Sequence, residues 1–294
     1  MLASEESLDT SWCLIDPLCS NISFCGLADL SKKLILMIAL WLLGFYSLSA
    51  VAKPLFGTWL QRNPSKYASE ETSFWLARHI VSLLHSSWIV WVSLGPVVFS
   101  TGSSWETLLI TPRDDDGGAL AYACAKGGLI FTSFIMYDLV IVIVHRFDGP
   151  LMIVHHIVFL LFCAMVMHHC FLQYISTGMM TMEMSTIFLN HYSFFRNRWG
   201  SDHWSVMVSF GCFGITYLVW RVAFMGYLVY GFFKALLDRS FPWHRCGGGG
   251  HLSSLRLGFI GVCLVAALAL QLAWLIAGIW PKVKRILLRK GKSH

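Results

Sequence analysis

Seven apolar segments, each close to the length needed to cross a lipid bilayer, alternate with polar segments along the 294-residue chain. A transmembrane helix needs about 20 consecutive, mainly apolar residues, because each residue adds about 1.5 Å to a helix. The pattern therefore predicts an all-α integral membrane protein with about seven transmembrane helices. The predicted spans are 34–52, 74–99, 120–144, 151–167, 173–195, 206–233 and 257–280.

The polar segments divide the chain into a leading region and one larger domain. A mixed segment, 1–33, precedes the first span, and a polar connector with two prolines, 53–73, separates that extra helix from the rest. The six remaining spans form a single domain, 74–284, which a basic tail, 285–294, follows. The run of glycines that begins at Gly247 predicts a flexible loop before the last span.

The composition agrees with a membrane protein and excludes a soluble domain. Hydrophobic residues make up 56% of the chain and charged residues 13%, whereas a soluble domain carries about 25% charged residues. The net charge of +6 predicts no nucleic-acid partner, because the basic residues lie beside apolar spans, notably within 282–292. Lysine and arginine in such positions contact anionic lipid on the cytoplasmic leaflet. Membrane lipids are therefore the expected partners.

The basic residues and one glycosylation sequon predict the orientation. An odd number of spans places the two termini on opposite sides. Basic residues are more abundant on the side of the tail, for example Arg146, Arg196 and Arg198, and such segments stay in the cytoplasm. The sequon at Asn21 functions only in a lumenal segment. We therefore expect a lumenal N-terminus and a cytoplasmic C-terminus, and the acidic start of the chain predicts no cleaved signal peptide.

Neither the nine cysteines nor the histidine pairs have the spacing of metal ligands. His168 follows His155 by 13 residues, which is about 20 Å along a helix, so the two histidine pairs cannot bind one ion. We therefore expect no metal and no cofactor. Disulfide pairing, which requires an oxidising compartment, stays open for Cys13, Cys19, Cys25 and Cys246.

Ten polar or ionisable residues inside the predicted spans are candidates for one site. Such groups are costly in hydrocarbon and normally face the interior of a helix bundle, where they mark a site. Arg78 and His85 lie on one helix face, and so do Glu183 and Asn190, because seven residues separate the members of each pair. Counted along the helices, most of the ten lie roughly 6–18 Å from the cytoplasmic helix ends. We predict one cavity lined by Arg78, His85, Tyr137, Asp138, His155, His156, Glu183, Thr186, Asn190 and Arg221.

A simpler interpretation is that each polar residue only links one helix to the next. A lone histidine such as His85 is more often a helix contact than a catalyst, and Arg221 has two candidate partners, Glu183 and Asp138. Independent helix contacts need not share a depth in the membrane, so the common depth favours a cavity. The sequence leaves both interpretations open.

The order of the polar motifs resembles the TLC-domain family, which includes the ceramide synthases, the translocon-associated TRAM proteins and small multipass TLC domain-containing proteins. The resemblance covers about residues 74–284. It implies a six-helix barrel around a lipid-accessible cavity, preceded by one extra helix, in the endoplasmic reticulum or a related membrane. The motifs that carry it are Arg78-His79 through His85, Tyr137-Asp138, His155-His156, Glu183 through Asn190, and Trp220-Arg221.

Within that family the chain is most similar to the small multipass proteins. The similarity rests on Glu-x-Ser-Thr-x-Phe-x-Asn at 183–190. Ceramide synthases have a His-Asp-x-x-Asp element where this chain has Glu183-Met184-Ser185-Thr186. This departure removes a histidine and an aspartate from the expected site, so acyl transfer is not implied directly. The resemblance to the small proteins implies a role in lipid homeostasis.

Two functions fit the predicted site. The preferred hypothesis is lipid homeostasis, with a lipid headgroup, for example that of a sphingolipid, bound in the cavity; a cargo-handling adaptor of the endoplasmic reticulum is a variant. The alternative is a lipid acyltransferase of ceramide-synthase type, with acyl-CoA as co-substrate. In that case His155 or His156 is the general base, oriented by Glu183 or Asp138. Substrate would be bound by Arg78, His85, Tyr137, Thr186, Asn190 and Arg221, and the oligomeric state stays open.

Overall fold

The computed structural model describes residues 27–62, 72–100, 117–147, 149–167, 172–237 and 250–284. Every regular element within these ranges is helical, which confirms the predicted all-α class. Several predictions concern residues outside these ranges and are not tested. They are the sequon at Asn21, the cysteines Cys13, Cys19, Cys25 and Cys246, the His168–His169 pair, Gly247 and the basic tail.

The helices in the described ranges form seven rods. The first four rods are single helices: α1 (Leu27–Arg62), α2 (Thr72–Ser100), α3 (Gly117–His145) and α4 (Pro150–Met167). The fifth rod consists of two helices, α5 (Gln173–Thr181) and α6 (Met184–Trp199). The sixth consists of α7 (Trp204–Thr216), a π-helical segment (Tyr217–Phe224) and α8 (Met225–Leu237). The seventh consists of α9 (Gly250–Trp274) and a second π-helical segment (Leu275–Ile279).

Five of the seven rods are long and apolar enough to cross a bilayer. These stretches are Ser31–Leu55, Ser73–Phe99, Lys126–His145, Trp204–Leu237 and Leu257–Lys284. The fourth rod has a shorter apolar helix, Pro150–Ala164, and the fifth is divided into two helices, neither of which spans a bilayer alone. The prediction of an integral membrane protein is confirmed, and two of the seven predicted spans correspond to a short and a broken helix.

The first helix is longer than the sequence predicts. α1 runs from Leu27 to Arg62 and includes Pro54, so residues 53–62 of the predicted polar connector are helical. Proline lacks the amide proton that an internal helix position donates, which costs about 3 kcal/mol. The helix nevertheless continues past Pro54 to Arg62.

Six of the rods form a closed ring, and α1 lies outside it. Around the ring the neighbours follow the order α2, α3, α4, α9, α7–α8 and α5–α6, and the last of these contacts α2 again. α1 packs against α2 and α3. This is the six-helix arrangement with one extra helix that the resemblance implies. Because α5 also packs against α3, the ring is filled along part of its length.

The ring has an apolar core and an apolar outer surface. Ile89, Ile141, Ile175 and Phe232, from four different helices, are fully buried in the main core. On the outer surface Trp91 is 85% exposed. Lipid tails are as apolar as the core, so an apolar outer surface is stable in a bilayer, and close packing has to hold the helices together.

Two glycines of the ring permit such close packing. A Cβ atom at Gly127 of α3 would lie 2.8 Å from Sδ of Met180 in α5, so glycine permits a close approach of these two helices. A Cβ atom at Gly178 of α5 would lie 3.1 Å from both Phe224 and Leu228. Gly178 therefore sets the distance between the fifth and sixth rods.

We expect Gly178→Val to destabilise the protein by about 1–3 kcal/mol, because the added isopropyl group overpacks the contact between the fifth and sixth rods. Gly211→Val is the matched control, since a Cβ atom at Gly211 of α7 meets nothing within 4 Å. Thermal unfolding of the purified protein in detergent micelles measures both effects. Equal transition temperatures for the two variants would contradict the close approach at Gly178.

Candidate functional site

The first polar cluster joins α2, α3 and α4 around the carboxylate of Asp138. Arg78 of α2 donates from Nε to Oδ1 at 2.8 Å and from Nη2 to Oδ2 at 3.0 Å, a bidentate pairing that is stronger than a single hydrogen bond. Nε2 of His156 in α4 lies 3.0 Å from the same Oδ2. Asp138 and His156 are buried. We call Arg78, Asp138 and His156 the Asp138 cluster.

His156 has a hydrogen-bond acceptor at each ring nitrogen. Its Nδ1 lies 2.8 Å from the carbonyl oxygen of Met152, which can only accept, so Nδ1 carries a proton. Its Nε2 faces the Asp138 oxygen that also accepts from Arg78, so a second proton lies between Nε2 and that oxygen. Neither ring nitrogen keeps a lone pair for a substrate. In this arrangement His156 links α3 and α4 and does not act as a base.

The second polar cluster surrounds Arg221 in the π-helical segment of the sixth rod. Nη2 of Arg221 donates to Oε1 of Glu183 at 3.3 Å and to Oγ1 of Thr186 at 2.7 Å. The other carboxylate oxygen of Glu183 accepts a hydrogen bond from Ser86 of α2 at 3.0 Å. Of the two candidate partners of Arg221, the structure therefore selects Glu183. We call the Arg221 cluster the five residues Ser86, Glu183, Ser185, Thr186 and Arg221.

The Arg221 cluster is built on the break in the fifth rod, where the sequence predicts one continuous helix. The amides of Met182, Glu183 and Ser185 each donate to the carbonyl three residues earlier, at 3.1 to 3.2 Å, which tightens the chain into a 3₁₀-like turn. Nε of Arg221 donates to Oγ of Ser185 at 2.7 Å and to the carbonyl oxygen of Met182 at 3.3 Å. Arg221 thus binds both the backbone and the side chains of the turn.

Two residues that the sequence pattern did not single out extend the Arg221 cluster. The ring of Tyr217 lies 5.9 Å from the guanidinium carbon of Arg221, a cation–π distance. The Tyr217 hydroxyl lies 2.8 Å from the backbone oxygen and 2.9 Å from the side-chain oxygen of Gln271 in α9. The sequence contains a feature that could have identified each of these residues. Tyr217 is four residues before Arg221 and so lies on the same helix face, and Gln271 is the only amide side chain in the last predicted span.

His85 and Tyr137 lie among aromatic rings, outside both clusters. The ring of His85 stacks on Phe134 with 3.7 Å between centroids and meets the edge of Trp41. His85 and Tyr137 are fully buried. Neither ring nitrogen of His85, nor the hydroxyl of Tyr137, has a hydrogen-bond partner among the described residues. His85 shares a predicted helix face with Arg78, yet the structure does not bring it into the Asp138 cluster.

His155 differs sharply from its neighbour His156. Its ring packs between Phe159, at 4.5 Å, and Trp274 of α9, at 4.8 Å between centroids. Its Nδ1 is buried without a hydrogen-bond partner among the described residues. The residue is 9% exposed. His155 is therefore the member of the pair that keeps an unused ring nitrogen.

Asn190 makes a third link, separate from both clusters. Its Nδ2 donates to Oγ of Ser82 in α2 at 2.9 Å.

The two clusters together contain six of the ten predicted site residues. His85, Tyr137, His155 and Asn190 lie outside them. For the members of the two clusters, the contacts support the simpler interpretation, in which polar residues link neighbouring helices. A single cavity lined by all ten residues stays a prediction. No group of three or more metal-ligating side chains lies close together in the described ranges.

The comparison with protein families matches the part of the chain that forms the ring. A family model described as the TLC domain matches residues 76–279, which begin in α2 and end in the second π-helical segment. The match therefore includes all six rods of the ring and excludes α1. No curated protein and no solved structure matches the chain. Because the family model covers more than half of the sequence, the chain belongs to the TLC-domain family of membrane proteins.

Proposed function

We propose that this TLC-domain membrane protein acts in lipid homeostasis by binding a membrane lipid within the ring, with the polar end of the lipid at His155. The contrast between the two neighbouring histidines carries the proposal. Both nitrogens of His156 are occupied by Met152 and Asp138. Nδ1 of His155 is buried and has no partner in the described part of the chain.

The surroundings of His155 favour a lipid as the ligand. A buried polar atom that makes no hydrogen bond costs about 1–3 kcal/mol, and a hydroxyl or amide group of a lipid would remove that cost. Phe159 and Trp274 flank the imidazole ring and offer apolar surface to the adjoining chain of such a lipid. Apolar burial of the chain contributes about 0.8 kcal/mol per methylene group, so the chain supplies affinity and His155 supplies selectivity.

We propose the endoplasmic reticulum or a related endomembrane as the location, with a lumenal N-terminus and a cytoplasmic C-terminus. Membership of the TLC-domain family supports the location. The excess of basic residues, such as Arg146 and Arg196, on the side of the C-terminal tail supports the orientation.

The second candidate function is an acyl-CoA-dependent lipid acyltransferase. Its general base would be His155, because both nitrogens of His156 already carry protons. A neutral His155 would take the proton of a lipid hydroxyl or amine as that group attacks the thioester carbonyl, and the departing CoA thiolate would then take the proton from His155. Glu183 would not orient this base, because its carboxylate is paired with Arg221 and Ser86.

We expect His156→Phe to destabilise the protein and His155→Phe not to destabilise it. Phenylalanine at 155 keeps the contacts with Phe159 and Trp274 and removes an unpaired polar atom, so stability should be unchanged or higher. Phenylalanine at 156 removes a partner of the buried Asp138 and should cost about 3–5 kcal/mol. Thermal unfolding in micelles measures both.

The His155→Phe variant also tests lipid binding. Lipids that co-purify with the protein are identified by mass spectrometry, and His155→Phe should lower the amount of the enriched lipid about tenfold, the effect of one lost hydrogen bond. Unchanged lipid content in His155→Phe would contradict the binding proposal, and strong destabilisation by that variant would give His155 a structural role.

Release of free CoA tests the acyltransferase. The purified protein is mixed with acyl-CoA and with sphingoid, glycerol or ethanolamine lipid acceptors. If the protein is an enzyme, His155→Phe should lower turnover by ~10²-fold or more, whereas Glu183→Gln, whose folding is checked separately, should retain turnover. Absence of CoA release by the wild-type protein with every acceptor would contradict the enzymatic function and leave the binding function in place.

Protease protection in sealed microsomes tests the orientation. We expect a tag at the N-terminus to be protected from added protease and a tag at the C-terminus to be digested, because the basic segments stay in the cytoplasm. Detergent should expose both tags, which serves as the control. The opposite pattern would reverse the orientation.

A further inference from the structure

Arg221 keeps one of its three side-chain nitrogens unused. Nε and Nη2 donate to the turn of the fifth rod through four hydrogen bonds. Nη1 carries two further N–H groups, and no described residue accepts from them. The residue is 8% exposed. Unlike Nδ1 of His155, which is fully enclosed, Nη1 keeps some accessible surface. A buried cation thus presents two unused donors to a space that a ligand can enter.

Thr186 offers a further unused donor beside Nη1. Its Oγ1 accepts from Nη2 of Arg221 at 2.7 Å, and its own proton is directed to no described residue. The neighbouring Ser185 differs, because its hydroxyl donates to the carbonyl oxygen of Met182 at 3.0 Å. Nη1 and Nη2 are bonded to the same carbon atom, so the Thr186 hydroxyl lies close to Nη1. We call Nη1 of Arg221 and Oγ1 of Thr186 the donor pair.

The chemistry of the donor pair favours an oxyanion as the ligand. A guanidinium N–H group can donate but cannot accept, so the ligand has to supply acceptor oxygens. Hydrogen bonds from a guanidinium group to a carboxylate or phosphate oxygen are shorter than bonds between neutral groups and roughly twice as strong.

The net charge of the two clusters also favours an anion. The clusters contain two arginines, the doubly protonated His156 and the carboxylates of Asp138 and Glu183. They therefore carry one positive charge in excess, wherever the proton between His156 and Asp138 lies. An unpaired charge is costly at membrane depth. A ligand with a single negative charge balances it.

His155 lies beside this site. The ring of Tyr217 contacts the guanidinium group of Arg221, and its hydroxyl contacts Gln271. Gln271 is about 4.5 Å along α9 from Trp274, which packs on His155. Arg221 and His155 also interact electrostatically. A ligand at the donor pair is therefore within reach of the unused nitrogen of His155.

We propose that the lipid bound within the ring is an acidic phospholipid, whose singly charged phosphate accepts hydrogen bonds from the donor pair and whose headgroup hydroxyl bonds to His155. This inference rests on the proposed function, because it takes a lipid in the ring as given and adds the class of that lipid. A phosphodiester with an uncharged, hydroxyl-bearing headgroup supplies the negative charge, the acceptor oxygens and the hydroxyl. A fatty acid has no hydroxyl, diacylglycerol and ceramide have no charge, and phosphatidylcholine brings a second cation.

Competition with phosphatidylinositol tests the class of the lipid on the purified full-length protein in detergent micelles. The probe is phosphatidylinositol with a fluorescent acyl chain. The competitors are unlabelled phosphatidylinositol, phosphatidylcholine and diacylglycerol with identical acyl chains, and oleic acid. We expect phosphatidylinositol to compete about tenfold better than diacylglycerol, the effect of one charge-assisted hydrogen bond. Phosphatidylcholine should fall between these two, and oleic acid should compete less well than phosphatidylinositol.

Thr186→Val tests the donor pair, because valine has nearly the shape of threonine and lacks the hydroxyl. Thr186→Ser, which keeps the hydroxyl, is the matched control. We expect Thr186→Val to lower the affinity for phosphatidylinositol about tenfold while the affinity for diacylglycerol changes little, and Thr186→Ser to retain the preference of the wild-type protein. The ratio of the two affinities is the readout, since a loss of folded protein lowers both equally.

Glu183→Gln tests the charge balance with the opposite sign. The change removes one carboxylate, so the excess positive charge of the clusters rises from one to two. The preference for phosphatidylinositol over diacylglycerol should therefore increase. A purely structural role of the cluster predicts no increase, because a loosened turn weakens the binding of both lipids.

The outcomes separate this inference from the proposed function. Equal competition by phosphatidylinositol and diacylglycerol, stronger competition by oleic acid, equal preferences in the two Thr186 variants, or no increase with Glu183→Gln would each overturn the inference. The proposed function would still hold in these cases if His155→Phe weakens the lipid that does bind. If none of the lipids competes, the proposed function fails and the inference fails with it.

Discussion

The pairing of Arg221 is the interaction on which the ring depends. A guanidinium group keeps its charge in a protein, and a charge at membrane depth has to be paired within the bundle. All of its hydrogen-bond acceptors come from the turn that divides the fifth rod, namely Met182, Glu183, Ser185 and Thr186. Glu183 is in turn bound to α2 through Ser86. One cation therefore fixes three neighbouring rods at a single depth.

The helices on both sides of this interaction depart from regular α-helical geometry. The turn at Met182 and Glu183 is tighter than an α-helix, and the segment Tyr217–Phe224 that carries Arg221 is wider. Such departures cost backbone energy and are frequent at functional sites. Here they let the carbonyl of Met182 accept a bond from Arg221 in addition to its bond from the amide of Ser185. The tertiary contact thus compensates for the local cost.

The sequence predicts those features that depend on one helix and misses those that depend on several. Hydrophobic runs predict the ring helices, and residue spacing places Glu183 and Thr186 on one face. The break at Met182 is not predicted, because neither glycine nor proline marks it and the flanking residues form helices well. The position of His85 is missed for a related reason. The shared helix face with Arg78 indicates which way the His85 side chain points from α2. The sequence does not show that Phe134 and Trp41, from two other helices, pack against its ring.

The tandem histidines show why a sequence motif does not by itself assign chemistry. Consecutive residues of a helix point about 100° apart, so His155 and His156 cannot face the same partner. His156 points to Asp138 of α3, and His155 points to Trp274 of α9. Of these two histidines, only His155 therefore has an unused ring nitrogen for a step that needs a lone pair on an imidazole ring. Asp138 cannot orient that ring directly, because it reaches the pair through His156, and the base of a hypothetical reaction would lack the carboxylate partner of a catalytic triad.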